Sequence, residues 1–174
     1  AMITIVDDGT AAKGLGSSPF DGEGVPTQRR TIVDRGVLQG FMYNTMVASR
    51  AGVESTGNAS RSGFSSLPGI GPHNFYMEAG DSDPQQIVSA TRNGLYLKGV
   101  TGYGINPVSG NFSGGAQGFW IQNGRTAFPV RGLTIASTAE EMLNGIDMLG
   151  NDLDLNRTMT APTLRIAEMQ IGGS

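Results

Sequence analysis

The sequence predicts an α+β fold with a largely antiparallel β-sheet built from hairpins and about three short helices. A hairpin is indicated where Asn123-Gly124 joins residues 117–122 to residues 125–130, because Asn-Gly supplies the two positive φ angles of a type I′ turn. Helix-capping residues recur between short runs of strand-forming residues, as expected of an α+β domain. The 174 residues suffice for one domain with a proper core and are few for two, so we expect a single domain over 1–174.

Three strands are predicted in the first third of the chain. Residues 2–7 alternate in polarity and are rich in β-branched side chains, which favours a strand. Two further strands, 31–33 and 37–42, flank a turn at Asp34-Arg35-Gly36, in which aspartate opens the turn and glycine closes it. These two strands should therefore form a short hairpin.

The helices are predicted from a capping residue at the start and a glycine after the end. Proline at the first position of the second helix and a capping box in the third strengthen the prediction. The three helices are 45–51 between Asn44 and Gly52, 84–93 between Asp83 and Gly94, and 139–149 between the Thr138–Glu141 capping box and Gly150.

The remaining strands are predicted at 75–77, 95–97, 133–136 and 163–171, the last with a bulge near Glu168. Pro129 cannot donate to a ladder, which places its arm of the central hairpin at an edge, at a bulge or near the strand end. Phe119 and Trp120 on the other arm either pack in the core or cover a subunit interface.

Residues 55–74 form a long segment rich in glycine, serine and proline without clear periodicity. Loops of this length inside a compact domain are uncommon and are often functional or disordered. Its glycines allow close backbone approach, so the loop could contact an extended peptide or move over a cavity. A mobile surface connection is the alternative.

Composition excludes several classes of protein. No run approaches the roughly 20 apolar residues of a membrane span, so we expect no membrane association. The chain has no cysteine, which excludes disulfides and thiolate metal sites and fits a cytoplasmic protein. The net charge is −3 and the basic residues are scattered, so nucleic-acid binding has little support.

The residues show no catalytic constellation. A catalytic metal site usually needs three side-chain ligands, and this chain has one histidine, His73, which is more simply interpreted as a loop residue. A serine nucleophile would need that histidine as its base and a third group to orient it. The glycine-rich stretch 99–104 follows a strand but precedes a turn, not the helix that a phosphate loop requires.

Several segments together resemble the C-terminal domain of the TldD/PmbA family, whose PmbA branch is also called TldE. The match covers nearly all of the chain, and its order and spacing are specific. The segments are GLGSSPFDGEGVPTQRR (14–30), ESTGNASR (54–61), FSGGAQGFWIQNGRTAFP (112–129), TIA (134–136), LGND (149–152) and PTLRIAEMQIGG (162–173).

The resemblance implies a role in proteolysis. Family members are larger two-part proteins, and TldD is a zinc metallopeptidase that takes ligands from an upstream His-Glu-x-x-x-His helix and a cysteine near its C-terminus. It pairs with PmbA/TldE to cleave unfolded or extended peptides, and older descriptions name the family modulators of DNA gyrase. This chain lacks the His-Glu-x-x-x-His motif, and it has no cysteine between residues 151 and 162.

We therefore expect a PmbA/TldE-like C-terminal domain without its N-terminal region, with no catalytic residue and no metal ligand of its own. Zinc is expected in the TldD-type partner. The domain would pair with that protease subunit, or with itself as a dimer, and help to bind extended peptides. The alternatives are a structural oligomerisation module without substrate contact and a gyrase-modulating interaction protein.

Two groups of residues are candidates for lining a peptide groove. Turn stabilisation and local ion pairing are the competing interpretation for the second group. The groups are Thr56, Gly57, Asn58 and Arg61 in the long loop, and Asp21, Glu23 and Arg30 upstream of it.

Overall fold

The computed structural model describes residues 3–102 and 104–173. They form an α+β fold in which antiparallel strands dominate and short helices intervene, as the sequence predicts. The elements in chain order are β1 (Ile5–Asp8), β2 (Arg29–Asp34), β3 (Val37–Leu38), α1 (Thr45–Ala51), β4 (Ala59–Ser60), β5 (Gly69–Ile70), β6 (Phe75–Met77), α2 (Pro84–Ser89), β7 (Asn93–Thr101), β8 (Asn111–Gln122), β9 (Arg125–Thr138), α3 (Ala139–Asn144), β10 (Ile146–Leu149), β11 (Met159–Thr160), β12 (Leu164–Ile166) and β13 (Gln170–Gly172).

The described residues form two compact units. Unit A consists of residues 3–78 and 153–162, and unit B consists of residues 79–152 and 163–173. The expectation of one domain over 1–174 stays a prediction. The longest described helix, α1, has 7 residues, and none of the described helices has the length and apolarity to cross a membrane.

Unit A is built on a five-stranded sheet in the order β11-β6-β1-β2-β3. Its strands pair antiparallel except for β11 and β6, which run parallel. Val6 at the centre of the sheet is buried together with Ile3 and Ile32. The first strand is Ile5–Asp8 where 2–7 was expected, because the register continues through Asp8; Met2 lies outside the described residues.

The hairpin between β2 and β3 is confirmed. Arg35 and Gly36 have φ angles of 46° and 83°, so both turn residues are left-handed, as a type I′ turn requires. However, β3 ends at Leu38, earlier than the expected Met42. The chain leaves the sheet because the Tyr43 N–H donates to Thr56 Oγ1 at 2.7 Å, away from the strand partner.

The first predicted helix has the expected bounds. Asn44 Oδ1 accepts from the Val47 N–H at 2.9 Å, which satisfies one of the free donors of the first turn. Gly52 follows the helix with a φ of 68°, and its N–H bonds to the Ala48 and Ser49 carbonyls. Local capping is thus sufficient to define both ends of α1.

The segment 55–74, expected to be irregular, contains a small hairpin. Ala59 pairs with Ile70 and Ser60 with Gly69 to form the ladder of β4 and β5. Strands of two residues carry no detectable alternation, so sequence periodicity could not reveal them.

Unit B is organised around the predicted Asn123-Gly124 hairpin, in a sheet of order β13-β9-β8-β7. Asn123 and Gly124 have φ angles of 51° and 74°, which confirms the type I′ turn. The 12 residues of β8 and the 14 of β9 make the arms longer than predicted. Among the described residues, β13 pairs only with 134–136, so at Pro129 the strand β9 is bonded on one side alone, which is the first of the three placements predicted for it.

The second helix is shorter than expected, and residues 93–97 belong to one strand. The helix α2 ends at Ser89, and the Thr91 and Arg92 carbonyls accept from the turn amides of Gly124 and Asn123 at 3.1 and 2.6 Å. Gly94, expected as a helix stop, pairs with Ile121 inside β7. Tertiary pairing with the hairpin therefore replaces the last turn of the predicted helix.

The third helix and the last strand also differ from the prediction. The capping box of Thr138 and Glu141 is present, but α3 ends at Asn144 and residues 146–149 form β10. The predicted strand 163–171 is divided into β12, which pairs with β10, and β13, which pairs with β9. Apolar residues of a short helix followed by a strand can imitate helical spacing, which explains the first error.

An ion pair joins β10 and β12 to the end of α2. Arg165 donates to both Asp147 oxygens at 2.8 and 2.7 Å, and its third nitrogen donates to the Ala90 carbonyl at 3.0 Å. The hydrogen bond from Arg165 holds the pKa of Asp147 below its usual range. A depressed carboxyl pKa stabilises the folded state above the unfolded value of about 3.9, and this contribution is lost as the pH falls through the folded value.

Replacing Arg165 with alanine should therefore lower the free energy of unfolding at pH 7 by about 1 kcal/mol, with a smaller difference near pH 3. Urea unfolding at pH 7 and near pH 3 measures the difference in the free energy of unfolding between the variant and the unaltered chain. Arg35→Ala is the matched control, because Arg35 pairs with Asp34 at 3.5 Å in an exposed position and should contribute little at either pH. Equal losses for the two variants would contradict a specific role of the Asp147 pair.

Candidate functional site

The two groups of predicted site residues meet in unit A. Asp21 Oδ2 accepts from the Ala59 N–H at 2.9 Å, and the Gly22 N–H donates to the Ala59 carbonyl at 2.8 Å. Arg61 Nε donates to the Gly22 carbonyl at 2.8 Å. The turn that carries Asp21 is thereby fixed against β4.

Glu23 and Arg30 differ in their hydrogen-bond partners. Glu23 Oε2 accepts from the Thr45 N–H at 2.8 Å, which places a carboxylate at the first amide of α1, where it satisfies a free donor. Arg30 is half-buried on β2, and its side chain has no hydrogen-bond or ion-pair partner within residues 3–102 and 104–173. Among Asp21, Glu23 and Arg30, Arg30 is therefore the residue whose side chain has no described partner.

Thr56, Gly57 and Asn58 are buried inside unit A. Thr56 Oγ1 donates to Asn58 Oδ1 at 2.6 Å, and Asn58 is 1% exposed. Gly57 has a φ of 71°, and a Cβ there would lie 2.5 Å from the Pro26 carbonyl oxygen. A role in lining a peptide groove stays a prediction, and burial favours a structural role for these three residues.

Asp7 is the centre of this buried polar cluster, and sequence reasoning missed it. Its carboxylate accepts from Asn58 Nδ2 at 2.6 Å and from the His73 N–H at 2.7 Å. The His73 Nε2 in turn lies 2.7 Å from the Gly57 carbonyl oxygen, so the ring holds the loop by donating a hydrogen bond. The sequence did contain a signal for this: Asp7 lies within a predicted strand next to apolar residues, and a charged residue at such a position can be buried with polar partners.

Two buried asparagines extend the cluster to neighbouring loops. Asn74 Nδ2 donates to the Asp8 carbonyl at 2.6 Å, and its Oδ1 accepts from the Gly16 N–H at 2.9 Å. Asn44 Nδ2 donates to the Pro68 carbonyl at 3.2 Å. In the described part of the chain, no buried side-chain nitrogen or oxygen lacks a partner, so the cluster is fully satisfied. Satisfied buried networks hold loops in one conformation.

The fixed loops present an apolar tip. Arg61 donates to the Ser66 carbonyl at 2.6 Å, and Ser66 bonds back to Gly63, which closes the turn between β4 and β5. Phe64 and Leu67 on this turn are 100% and 91% exposed. We call residues 61–68 the apolar loop. Large apolar side chains held outward by an ordered turn are typical of a contact surface.

The described residues of the site do not form a set of metal ligands. Across residues 3–102 and 104–173, no group of three or more histidine, cysteine, aspartate or glutamate side chains could hold a metal ion. The single imidazole is engaged with Gly57. The residues present therefore do not fit the zinc ion of a metallopeptidase.

The central hairpin divides its aromatic residues between core and surface. Trp120 is half-buried beside the buried Ile121, whereas Phe119 and Phe128 are exposed. Trp120 pairs with Phe128, so these two residues share one face of the hairpin and Phe119 lies on the opposite face.

The structure is that of a glycine-rich α+β domain, and its sequence matches the family model described as the PmbA/TldA metallopeptidase C-terminal domain over residues 1–173. The chain belongs to this family. It is similar to metalloprotease PmbA of Escherichia coli O157:H7, with 32% identity over 171 aligned positions that cover 98% of the chain and 36% of the relative.

Two further relatives represent both branches. The metalloprotease TldD homolog of Haemophilus influenzae is 32% identical over 188 aligned positions, which cover 99% of the chain and 39% of the relative. The crystal structure of TldE from Thermococcus kodakarensis superposes with a TM-score of 0.90 at 28% identity, covering 99% of the chain and 40% of that protein. The chain spans somewhat more than a third of the length of these relatives.

Proposed function

We propose that the chain is a non-catalytic PmbA/TldE-like domain that pairs with a TldD-type zinc metalloprotease subunit and helps to bind or enclose extended peptides, in the cytoplasm. The observation that carries the proposal is the difference in length between the alignments with a PmbA relative and with a TldD relative. The PmbA relative aligns over 171 positions without net insertion, whereas the TldD homolog aligns over 188, which is at least 14 more than the 174 residues of this chain. The likeness to TldE supports the same branch.

The potential metal ligands of the chain support a model in which one subunit binds zinc and the other contacts the substrate. Hydrolysis of a peptide bond by zinc requires several ligands and an open position for water. The residues of this chain do not fit that requirement, so the metal and the catalytic groups would belong to the partner. This chain would supply an ordered surface that a peptide or the partner subunit could contact.

The apolar loop is the contact surface that we assign to this role. Its base is held by the Arg61 contacts and by the Asp7 cluster, so little conformational entropy is lost when it binds. Deleting residues 63–71 would remove β5 together with the Pro68 and Gly71 carbonyls that accept from Asn44 and Asn58, so a loss of activity could reflect a loss of folding. Substitutions at the exposed tip avoid this problem.

We expect Phe64→Ser together with Leu67→Ser to lower cleavage of an unfolded model peptide at least about tenfold when the chain is reconstituted with a TldD-type subunit. Both side chains are exposed, so the melting temperature should not change. Sedimentation of the mixture separates loss of pairing from loss of peptide contact. The matched control is Leu155→Ser, another exposed leucine of unit A outside the apolar loop. Unchanged cleavage with the double variant would exclude the loop from this function.

A structural oligomerisation module is the second candidate, and the exposure of Phe119 on one face of the central hairpin favours it. The same sedimentation experiment separates the two functions. Self-association without any effect on cleavage supports the module, whereas a monomeric chain that restores cleavage supports the peptide-binding domain.

A further inference from the structure

One face of the sheet formed by β7, β8 and β9 carries a row of large side chains. Tyr96 pairs with Phe119, and Phe119 pairs with Pro129, so these three residues lie side by side across the three strands. Residues paired across strands point to the same face of a sheet. Phe119 is 40% exposed, Pro129 is exposed and Tyr96 is half-buried. We call the side of the sheet that carries Tyr96, Phe119 and Pro129 the Phe119 face.

The same face carries two positively charged side chains. The Lys98 ammonium lies 4.1 Å from the centre of the Tyr96 ring and donates to its hydroxyl at 2.9 Å, which places it on the Phe119 face. Arg131 lies two residues beyond Pro129 on β9, so strand alternation directs it to this face as well. Both are exposed, and neither forms an ion pair within residues 3–102 and 104–173. Both cations are therefore free to contact an anionic ligand.

The charge of this region is opposite to that of the rest of the chain. Between Asp83 and Glu140 the sequence has no acidic residue and four basic ones. These are Arg92, Lys98, Arg125 and Arg131. The whole chain has 12 basic and 15 acidic residues, so outside this stretch 8 basic residues accompany all 15 acidic ones, a net charge of −7. Glu141, just past the end of β9, accepts from the Thr138 N–H at 3.0 Å. Charge complementarity thus favours an anionic ligand for the Phe119 face.

We propose that the Phe119 face binds an extended acidic peptide with a carboxylate and an aromatic side chain two residues apart. Lys98 and Arg131 contact the carboxylate, and Tyr96 and Phe119 contact the aromatic side chain. An extended peptide presents every second side chain on one side at a spacing of about 7 Å. Residues two apart on the strands of the sheet have the same spacing, so a peptide lying along β8 places its two side chains over the two rows.

The charge distribution favours a peptide over a nucleic acid. A nucleic acid draws its affinity from many phosphate contacts, and the Phe119 face offers Lys98 and Arg131 for this purpose. The net charge of −7 elsewhere on the chain repels a long polyanion, whereas a short peptide needs only one or two carboxylates. This inference rests on the proposed function for the choice of a peptide, and it adds a second contact surface to the apolar loop.

Two double variants with the same change in net charge test the position of the site. Lys98→Gln with Arg131→Gln removes both cations from the Phe119 face. The matched control is Arg92→Gln with Arg125→Gln, because Arg92 precedes β7 and Arg125 pairs with Gln122, which points to the opposite face. All four side chains are exposed, so the melting temperature of both variants should equal that of the unaltered chain.

The probe is a fluorescein-labelled peptide of repeating sequence Glu-Ser-Phe-Ser, and fluorescence anisotropy measures its affinity. A peptide in which lysine replaces glutamate is the matched probe and should not bind. We expect Lys98→Gln with Arg131→Gln to bind the acidic probe about tenfold more weakly than the unaltered chain, and the control variant to bind within about threefold. Added salt should weaken binding of the acidic probe to the unaltered chain.

Four results would overturn the proposal. Equal losses for the two double variants would show that only the net charge matters, and equal binding of the lysine peptide would exclude a role for charge. Tighter binding of single-stranded oligothymidine than of the acidic probe would identify a nucleic acid as the ligand. A dimer of the unaltered chain that Lys98→Gln with Arg131→Gln dissociates in sedimentation would identify a second copy as the occupant.

The outcomes also separate this inference from the proposed function. If the reconstituted pair cleaves peptide while Lys98→Gln with Arg131→Gln binds the acidic probe normally, the assignment of this face is wrong and the proposed function stands. If the unaltered chain binds the probe on this face but never supports cleavage, the proposed function fails independently. Phe64→Ser with Leu67→Ser should leave probe binding unchanged, because these residues belong to unit A.

Discussion

Gly118→Ala is expected to destabilise unit B by about 3 kcal/mol or more. A Cβ on this buried residue would lie 2.0 Å from the Tyr96 carbonyl oxygen and 3.1 Å from the Lys98 nitrogen. Both are backbone atoms of the neighbouring strand β7, so no side-chain rotation can relieve the overlap. The two strands must separate, and their ladder is the link between the central hairpin and β7.

Trp120, the only tryptophan, lies two residues further along β8 and reports this change directly. Urea unfolding followed by its fluorescence should show a much lower midpoint for Gly118→Ala. Gly172→Ala is the control, because Gly172 is also a strand glycine of unit B but has no atom within 4 Å of a built Cβ. Similar midpoints for the two variants would show that β7 can move away at little cost.

Asn58→Asp should cost about 3–5 kcal/mol at neutral pH, although the side chain keeps its size. Asn58 donates to the buried carboxylate of Asp7 at 2.6 Å, and the substitution would place two carboxylates at that distance. Two buried carboxylates in contact cannot both be ionised, so folding requires one of them to take up a proton. The stability of the variant should therefore rise as the pH falls, opposite to the usual effect of acid on proteins.

The prediction is checked by thermal unfolding of the variant and the unaltered chain between pH 7.5 and 4.5. Asn156→Asp is a matched control, since Asn156 Nδ2 also donates to a carboxylate, Asp154 Oδ1 at 2.8 Å, but in an exposed position. Water and salt screen the second pair, which limits its cost to about 0.5 kcal/mol. Comparable losses for both variants would mean that the Asp7 cluster is more hydrated than its burial indicates.

Local signals predicted the parts of the fold that local chemistry determines. The Asn123-Gly124 turn and the bounds of α1 were predicted from residues adjacent in sequence, because positive φ angles and end-capping bonds involve only a few neighbouring residues. The ends of α2 and α3 were wrong because strand pairing of residues 93–97 and 146–149 overrides helix propensity. Pairing partners lie far away in sequence and cannot be inferred from spacing.

The role of the candidate site residues stays a prediction, and the structure shows how these residues contact one another. Asp21 bonds to Ala59 and Arg61 bonds to Gly22, so one residue of each group is fixed near the same turn. Thr56 and Asn58 were predicted to line a peptide groove because they lie in the long glycine-rich loop. Their burial depends on Asp7, which pairs with Asn58 across 51 positions of sequence, and a single sequence does not report such a partner.

The parallel pairing of β11 with β6 has a consequence for the order of folding during synthesis. Met159 pairs with Phe75, and the Phe75 N–H donates to the Thr158 carbonyl at 2.7 Å, so the fifth strand of unit A is translated after most of unit B. Contacts of such long sequence separation form late. A nascent chain halted before residue 158 would therefore expose one side of β6, and this transient opening is where chaperone binding or intermolecular strand exchange would act on the newly made protein.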